Sequence, residues 1–137
     1  MVYEATKVEL FGANNDGSPI RYTCASGTAI AKGTLLKFSG DNTVAAHTAV
    51  KDMIAGIAAH DKSGSDYSTT ISAWTDGVFE MKCSGAVTLG NWVGPGGTAN
   101  TISGAAIDLN VASGANIFGY AREAGSADET INVRVKL

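Results

Sequence analysis

Two histidines, two cysteines and thirteen carboxylate side chains are the groups from which this 137-residue chain would have to build catalysis or a metal site. His47 and His60 each stand beside alanine, outside the H-E-x-x-H and H-x-H spacings that bring two imidazoles to one metal. They read as solvated or hydrogen-bonded loop residues. No G-x-S-x-G elbow occurs, and Ala25-Ser26-Gly27 and Ala112-Ser113-Gly114 read as turns. Gly94-Pro95-Gly96-Gly97 lacks the helix and lysine of a phosphate cradle and reads as a hairpin tip. Asp61-Lys62-Ser63-Gly64-Ser65-Asp66 has the outline of a calcium loop without its remaining carboxylates, and reads as a surface turn. Asp76, Glu80, Asp108 and Glu123 occur singly, and a glycosidase pair among them would meet only in space. The sequence therefore predicts no catalytic residues, no metal, no cofactor and no enzyme activity.

Cys24 and Cys83 lie far apart and outside C-x-x-C spacing, so they read as two buried thiols or as one disulfide. Trp74 and Trp92 divide between core and interface readings. Charged residues are 17% of the chain and the net charge is -3, without the cationic surplus that nucleic-acid binding draws on. No apolar run reaches the roughly 20 residues that cross a bilayer, and charges interrupt the N-terminus where a signal peptide needs its apolar stretch. Neither nucleic acid nor membrane is an expected partner.

The elements that would position any site are strands. Thr130 to Leu137 alternates polar and apolar residues, which means a strand with one buried face. Shorter β-rich runs occur at 20–24, 28–38, 53–59, 69–74, 78–83, 86–93 and 116–122, cut by 17 scattered glycines. At most one short helix is expected, near 46–52. The expected class is all-β, a barrel or sandwich. A chain of this length buries roughly 68% of its unfolded surface, enough for one core.

Three segments recur in order about 60 residues apart. A-I-A-K-G-T-L-L (29–36) matches A-V-T-L-G-N-W-V (86–93), Ile54–Ala58 matches Ile117–Ala121, and Thr70–Ala73 matches Thr130–Val133. Two similar β-units, 28–75 and 85–137, follow within a β domain at 20–137, unless a glycine- and alanine-rich chain repeats by chance. Residues 1–19 read as an extended N-terminal arm, with Val2, Tyr3, Val8, Leu10 and Phe11 as the residues expected to bind a partner. Removing 1–12 is expected to leave a folded domain that no longer binds.

The order I-R-Y-T, A-I-A-K-G-T-L-L, M-I-A-G-I-A, V-F-E-M, A-V-T-L-G-N-W-V and I-F-G-Y-A-R-E-A-G…T-I-N-V-R-V-K-L, over residues 20–137, resembles the small decoration, or cement, proteins of tailed bacteriophage heads. The resemblance implies a glycine-rich β fold on the outer surface of the virion capsid, bound to the major capsid protein, often as a trimer, and stabilising the shell against packaged DNA. It carries over no catalytic residues. The long N-terminal segment and the loop 95–115 depart from the shorter members. A carbohydrate- or receptor-binding β-module, using Trp74, Trp92 or Tyr67, is the other reading.

Overall fold

Short β-branched and aromatic runs broken by glycine form strands wherever another run is near enough to pair. In the computed structural model, which describes residues 4–11, 19–50, 52–65, 67–104 and 117–137, eleven strands and no helix occur among the described residues. They are β1 (Thr6–Leu10), β2 (Ile20–Thr23), β3 (Leu35–Gly40), β4 (Thr43–Ala46), β5 (Ile54–Ala58), β6 (Thr70–Trp74), β7 (Asp76–Cys83), β8 (Trp92–Pro95), β9 (Thr101–Gly104), β10 (Gly119–Ala121) and β11 (Thr130–Lys136).

β2 to β6 close into one five-stranded barrel and β7 to β11 into another, with β1 added to the edge of β7. In each unit the first strand pairs antiparallel with the fifth and parallel with the third, the second pairs antiparallel with third and fourth, and the fourth with the fifth. Closure removes the unpaired edges that an open sheet of this size would expose.

The two barrels share their register at corresponding pairs, with bulges in the β3 pairings that β8 lacks. Leu35 opposes Ile57 as Trp92 opposes Tyr120. Ile30 and Lys62 exchange backbone bonds as Val87 and Gly125 do, and the Cys24 amide reaches Thr69 as the Cys83 amide reaches Glu129, both at 2.8 Å. The repeat is thus longer than its three sequence matches, taking in the first strand of each unit.

Inward residues match as well. Cys24, Ile30, Leu36, Val44, Ala55 and Ile71 fill the first barrel where Cys83, Val87, Val93, Ile102, Phe118 and Ile131 fill the second. Both thiols are buried in different barrels, and no disulfide joins them. The second core does not stop at its own strands. Leu35, Ile57 and Trp74, on the outer face of the first barrel, belong to it, as do Ala5 and Leu10 flanking and ending β1.

The one short helix allowed near 46–52 does not occur among the described residues: β4 occupies 43–46, and the Asp52 carboxylate then accepts the Thr48 and Ala49 amides at 2.7 and 2.8 Å, satisfying them locally instead of helically. Of the N-terminal segment, Thr6–Leu10 forms a strand tied to its own chain through β7.

Gly56 and Gly119 sit at equivalent positions where the backbone of the neighbouring strand leaves no room for a side chain. A Cβ on Gly56 would lie 2.8 Å from the Trp74 carbonyl oxygen, and one on Gly119 would overlap that of Arg134. Alanine at either site is expected to destabilise by about 1–3 kcal/mol through overpacking, whereas alanine at Gly27 or Gly85, where nothing lies within 4 Å, leaves stability near wild type. Urea melts of the four variants check this, and equal midpoints would refute the close approach.

Candidate functional site

Several polar side chains that the sequence offered for chemistry hold turns and strands. Lys62 is buried, its ammonium donating to the carbonyls of Thr28 at 2.7 Å and Ser26 at 3.3 Å, and Asp61 accepts the Lys32 amide at 2.7 Å. The loop with a calcium outline thus sends its own cation to the carbonyls of Ser26 and Thr28, and its Asp61 carboxylate is taken by a backbone amide. Asp76 pairs with Arg134, and Glu80 and Glu123 are exposed singly. Asp66 and Asp108 lie outside the described residues. Among the described residues no group of three or more potential metal ligands converges. Burial, with the Glu129 charge beside it, pushes the Cys83 thiol above its ordinary pKa, the wrong direction for a nucleophile.

His60 is an exposed loop residue, its Nδ1 donating to the Asp61 carbonyl at 3.2 Å and its Nε2 accepting the Ser72 amide at 3.2 Å. His47 is not solvated. It is fully buried between the barrels, and its Nε2–H donates to the Gly96 carbonyl at 3.0 Å. That bond fixes the tautomer and leaves Nδ1 a buried acceptor without a partner. A second bond crosses nearby, from the Leu35 amide to Asn100 Oδ1 at 2.9 Å. Burial lowers the His47 pKa, outweighing the Gly96 carbonyl, the Asp52 charge and the Ala49 backbone, which raise it, while Lys37 adds to the lowering. For Asp52 burial acts upward, but the Thr48 and Ala49 amides and Lys37 together hold its carboxyl below the ordinary range.

The residues expected to bind a partner separate. Val2 and Tyr3 lie outside the described residues. Val8 is the extra residue of a β-bulge between Lys7 and Glu9 and is 48% exposed. Leu10 is buried in the second core, and Phe11 is half-buried with the Arg134 guanidinium 4.5 Å from its ring centre. Leu10 thus packs in the core of the fold, and removing 1–12 would strip Ala5 and Leu10 from it.

The tryptophans separate too. Trp74 is 6% exposed, against Phe79 and beneath the ammonium groups of Lys7 and Lys32. Trp92 is 49% exposed and meets Tyr120, itself 42% exposed, edge to face at 6.4 Å. Tyr67 is exposed alone. Sequence reasoning missed a second apolar surface, a groove lined by Ile20, Tyr22, Phe38, Met53 and Ala55 of the first barrel and reaching Leu137. The exposed β2 and β3 residues Ile20 and Phe38 were its only signal, and period two alone does not say which face meets water.

What the molecule offers is apolar contact surface, beside a shallow cleft where Glu4, Thr6, Lys7 and Lys32 gather around Trp74. Comparison with known proteins agrees. The sequence profile of the phage cement proteins matches residues 14–137. The chain belongs to the phage cement protein family. In fold, this cement protein is similar to the base of the head fibre gp8.5 of bacteriophage phi29, at 16% identity over 86% of this chain and 94% of that one, with a TM-score of 0.56. No curated protein matches it. It is a structural component associated with the phage head.

The buried imidazole gives this cement protein a pH dependence. With its folded pKa lowered, His47 stays neutral in the fold while the unfolded chain takes up a proton below about pH 6.5. Stability should hold above that value and fall as pH drops from 7 toward 5, a window above the one in which Asp52 titrates. Thermal unfolding across pH should show this slope, flattened in His47→Leu; an unchanged slope in the variant would place it elsewhere.

Proposed function

We propose that this cement protein decorates the outer surface of a tailed-phage capsid, binding the major capsid protein as a homotrimer and bracing the shell against the pressure of packaged DNA. The observation that carries the reading is the family match over residues 14–137 on a molecule whose exposed features are apolar rows and one strand edge.

β1 is the end strand of its sheet, and among the described residues no strand pairs with its outer edge. A segment of the capsid protein adding there would gain main-chain hydrogen bonds and cover Val8, while Lys7 and Glu9 on either side restrict the partner's charges. Val2 and Tyr3 extend that contact, with Leu10 and Phe11 anchoring the strand from behind. Burying a side chain such as Val8 contributes about 1.5–3 kcal/mol before ordering costs, and three chains acting together convert weak single contacts into avidity.

The test is binding to purified undecorated shells. Val8→Asp and a chain lacking residues 1–3 should each bind about tenfold or more weakly, at about 1.4 kcal/mol per tenfold, with unchanged thermal midpoints. Wild-type binding by both would remove β1 from the contact. Quantitative mass spectrometry of particles decides the role itself: copies comparable to the shell subunit support decoration, and a handful point to a tail or receptor-binding part. Decorated, DNA-filled particles should also survive heating or osmotic shock that opens undecorated ones.

A further inference from the structure

The contact between the two barrels is built from two surfaces, and the duplication presents a counterpart of each, with Trp92 and Tyr120 exposed on one and Ile20 and Phe38 on the other. On the donor side, the outer row of the first barrel is Leu35, Ile57 and Trp74, paired across β3, β5 and β6. All three are buried in the core of the second barrel. On the receiving side, Phe79 meets the Trp74 ring at 5.7 Å, Gly96 accepts from His47, and Asn100 accepts the Leu35 amide.

The same register places Trp92, Tyr120 and Arg134 on the outer row of the second barrel, and the first two are exposed. Leu89, in the place of Lys32, adds a third exposed apolar side chain. Ile20 stands in the first barrel where the receiving Phe79 does in the second, and the same register places Tyr22, Phe38 and Ala55 where Met81, Pro95 and Phe118 stand. Ile20, Tyr22, Phe38 and Ala55 line the open apolar groove, about 330 Å³ in volume. Asn42 stands where Asn100 does, in the same left-handed conformation, with φ of 50° against 61°.

We propose that a second copy of this chain fills the groove: the Leu89–Trp92–Tyr120 face of one copy seats against Ile20, Phe38 and Met53 of the next, repeating between chains the contact already made between barrels. Asn42 of one copy then takes the place of Asn100 toward the Trp92 amide of its neighbour. The occupant is a second copy because the chain itself contains this contact once, and because donor and receiver are both left over, one each per chain. Such a contact is heterologous, so it runs head to tail and closes only as a ring. The inference rests on the homotrimer proposed above and names the faces that form it, but it is tested on free protein, so a failure to bind shells leaves it standing.

The experiment is light scattering on chromatographed protein across a concentration series, with Trp92→Glu as donor variant and Phe38→Glu as receiver variant. Both side chains are exposed in the single chain, and circular dichroism confirms folding; Tyr120→Arg and Ile20→Lys replace either variant that fails to fold. Wild type should run as an oligomer and each variant at the 14.0 kDa of one chain. An equimolar mixture of the two variants should return to twice that mass, because one intact donor face and one intact groove remain between them. A monomeric wild type, a variant that keeps the wild-type mass, or a mixture that stays at 14.0 kDa would each overturn the proposal.

Discussion

Leu35, Ile57 and Trp74 lie outside one barrel and inside the core of the other, and the arrangement of the molecule follows from that. A five-stranded barrel with Ala55, Ala58 and Ala73 among its inward residues has little interior of its own. Its outer row therefore does work that its centre cannot. Burying Leu35 and Ile57 contributes about 3–6 kcal/mol as an upper estimate, comparable to the net stability of many domains. Once that row is seated, the barrels have a fixed orientation, and the two hydrogen bonds at their junction find their partners. His47 follows as a consequence: its ring is held by Gly96 on one side and left with an unpartnered nitrogen on the other, a residual cost that a well-packed interface can carry.

Duplicated barrels of one topology need not present the same surface, because exposure is set by what a row meets. Register keeps Leu35 equivalent to Trp92 and Ile57 to Tyr120. The backbone repeats because its constraints do. Gly33 and Gly90 both turn through positive φ, at 90° and 82°, ahead of the second strand, and Gly56 and Gly119 both let a neighbouring strand pass close. Outer side chains answer to no such rule, and there the two halves diverge.

That division also decides what can be read before the structure is seen. The alternation of β11 gave its bounds to within a residue, and the repeated I-A-G-I-A and I-F-G-Y-A located β5 and β10 together with their critical glycines. The third strand of each unit went unread. T-V-A-A and T-I-S-G are four residues long and poor in large apolar groups, so propensity does not mark them; burial of Val44 and Ile102 in the barrels does. Their shared context, Asn42-Thr-Val against Asn100-Thr-Ile, was a fourth match in the repeat and the one usable signal. Trp74 and Trp92 could not be separated at all, since both stand on outward rows and only the docking of one barrel distinguishes them. The same holds for Val8 and Leu10, two residues apart on one strand, where a bulge turns the first outward and β7 covers the second.

The described polar groups follow the same economy. In a small tandem barrel nearly every inward position is apolar, and the buried polar residues Thr34, His47, Lys62, Asn100 and Thr101 sit where turns and the barrel junction leave backbone groups to be satisfied. Lys62 ties down two carbonyls, Asn100 takes the Leu35 amide, and Thr101 Oγ1 bonds the Thr98 carbonyl at 2.7 Å. With those groups committed, recognition falls to apolar rows and to the strand edge that barrel closure did not remove. Such surfaces distinguish partners by shape and register rather than by charge, and repetition of the same contact is the cheapest way for them to gain affinity. A component that must cover a lattice of identical subunits gains more from that property than from a single deep pocket.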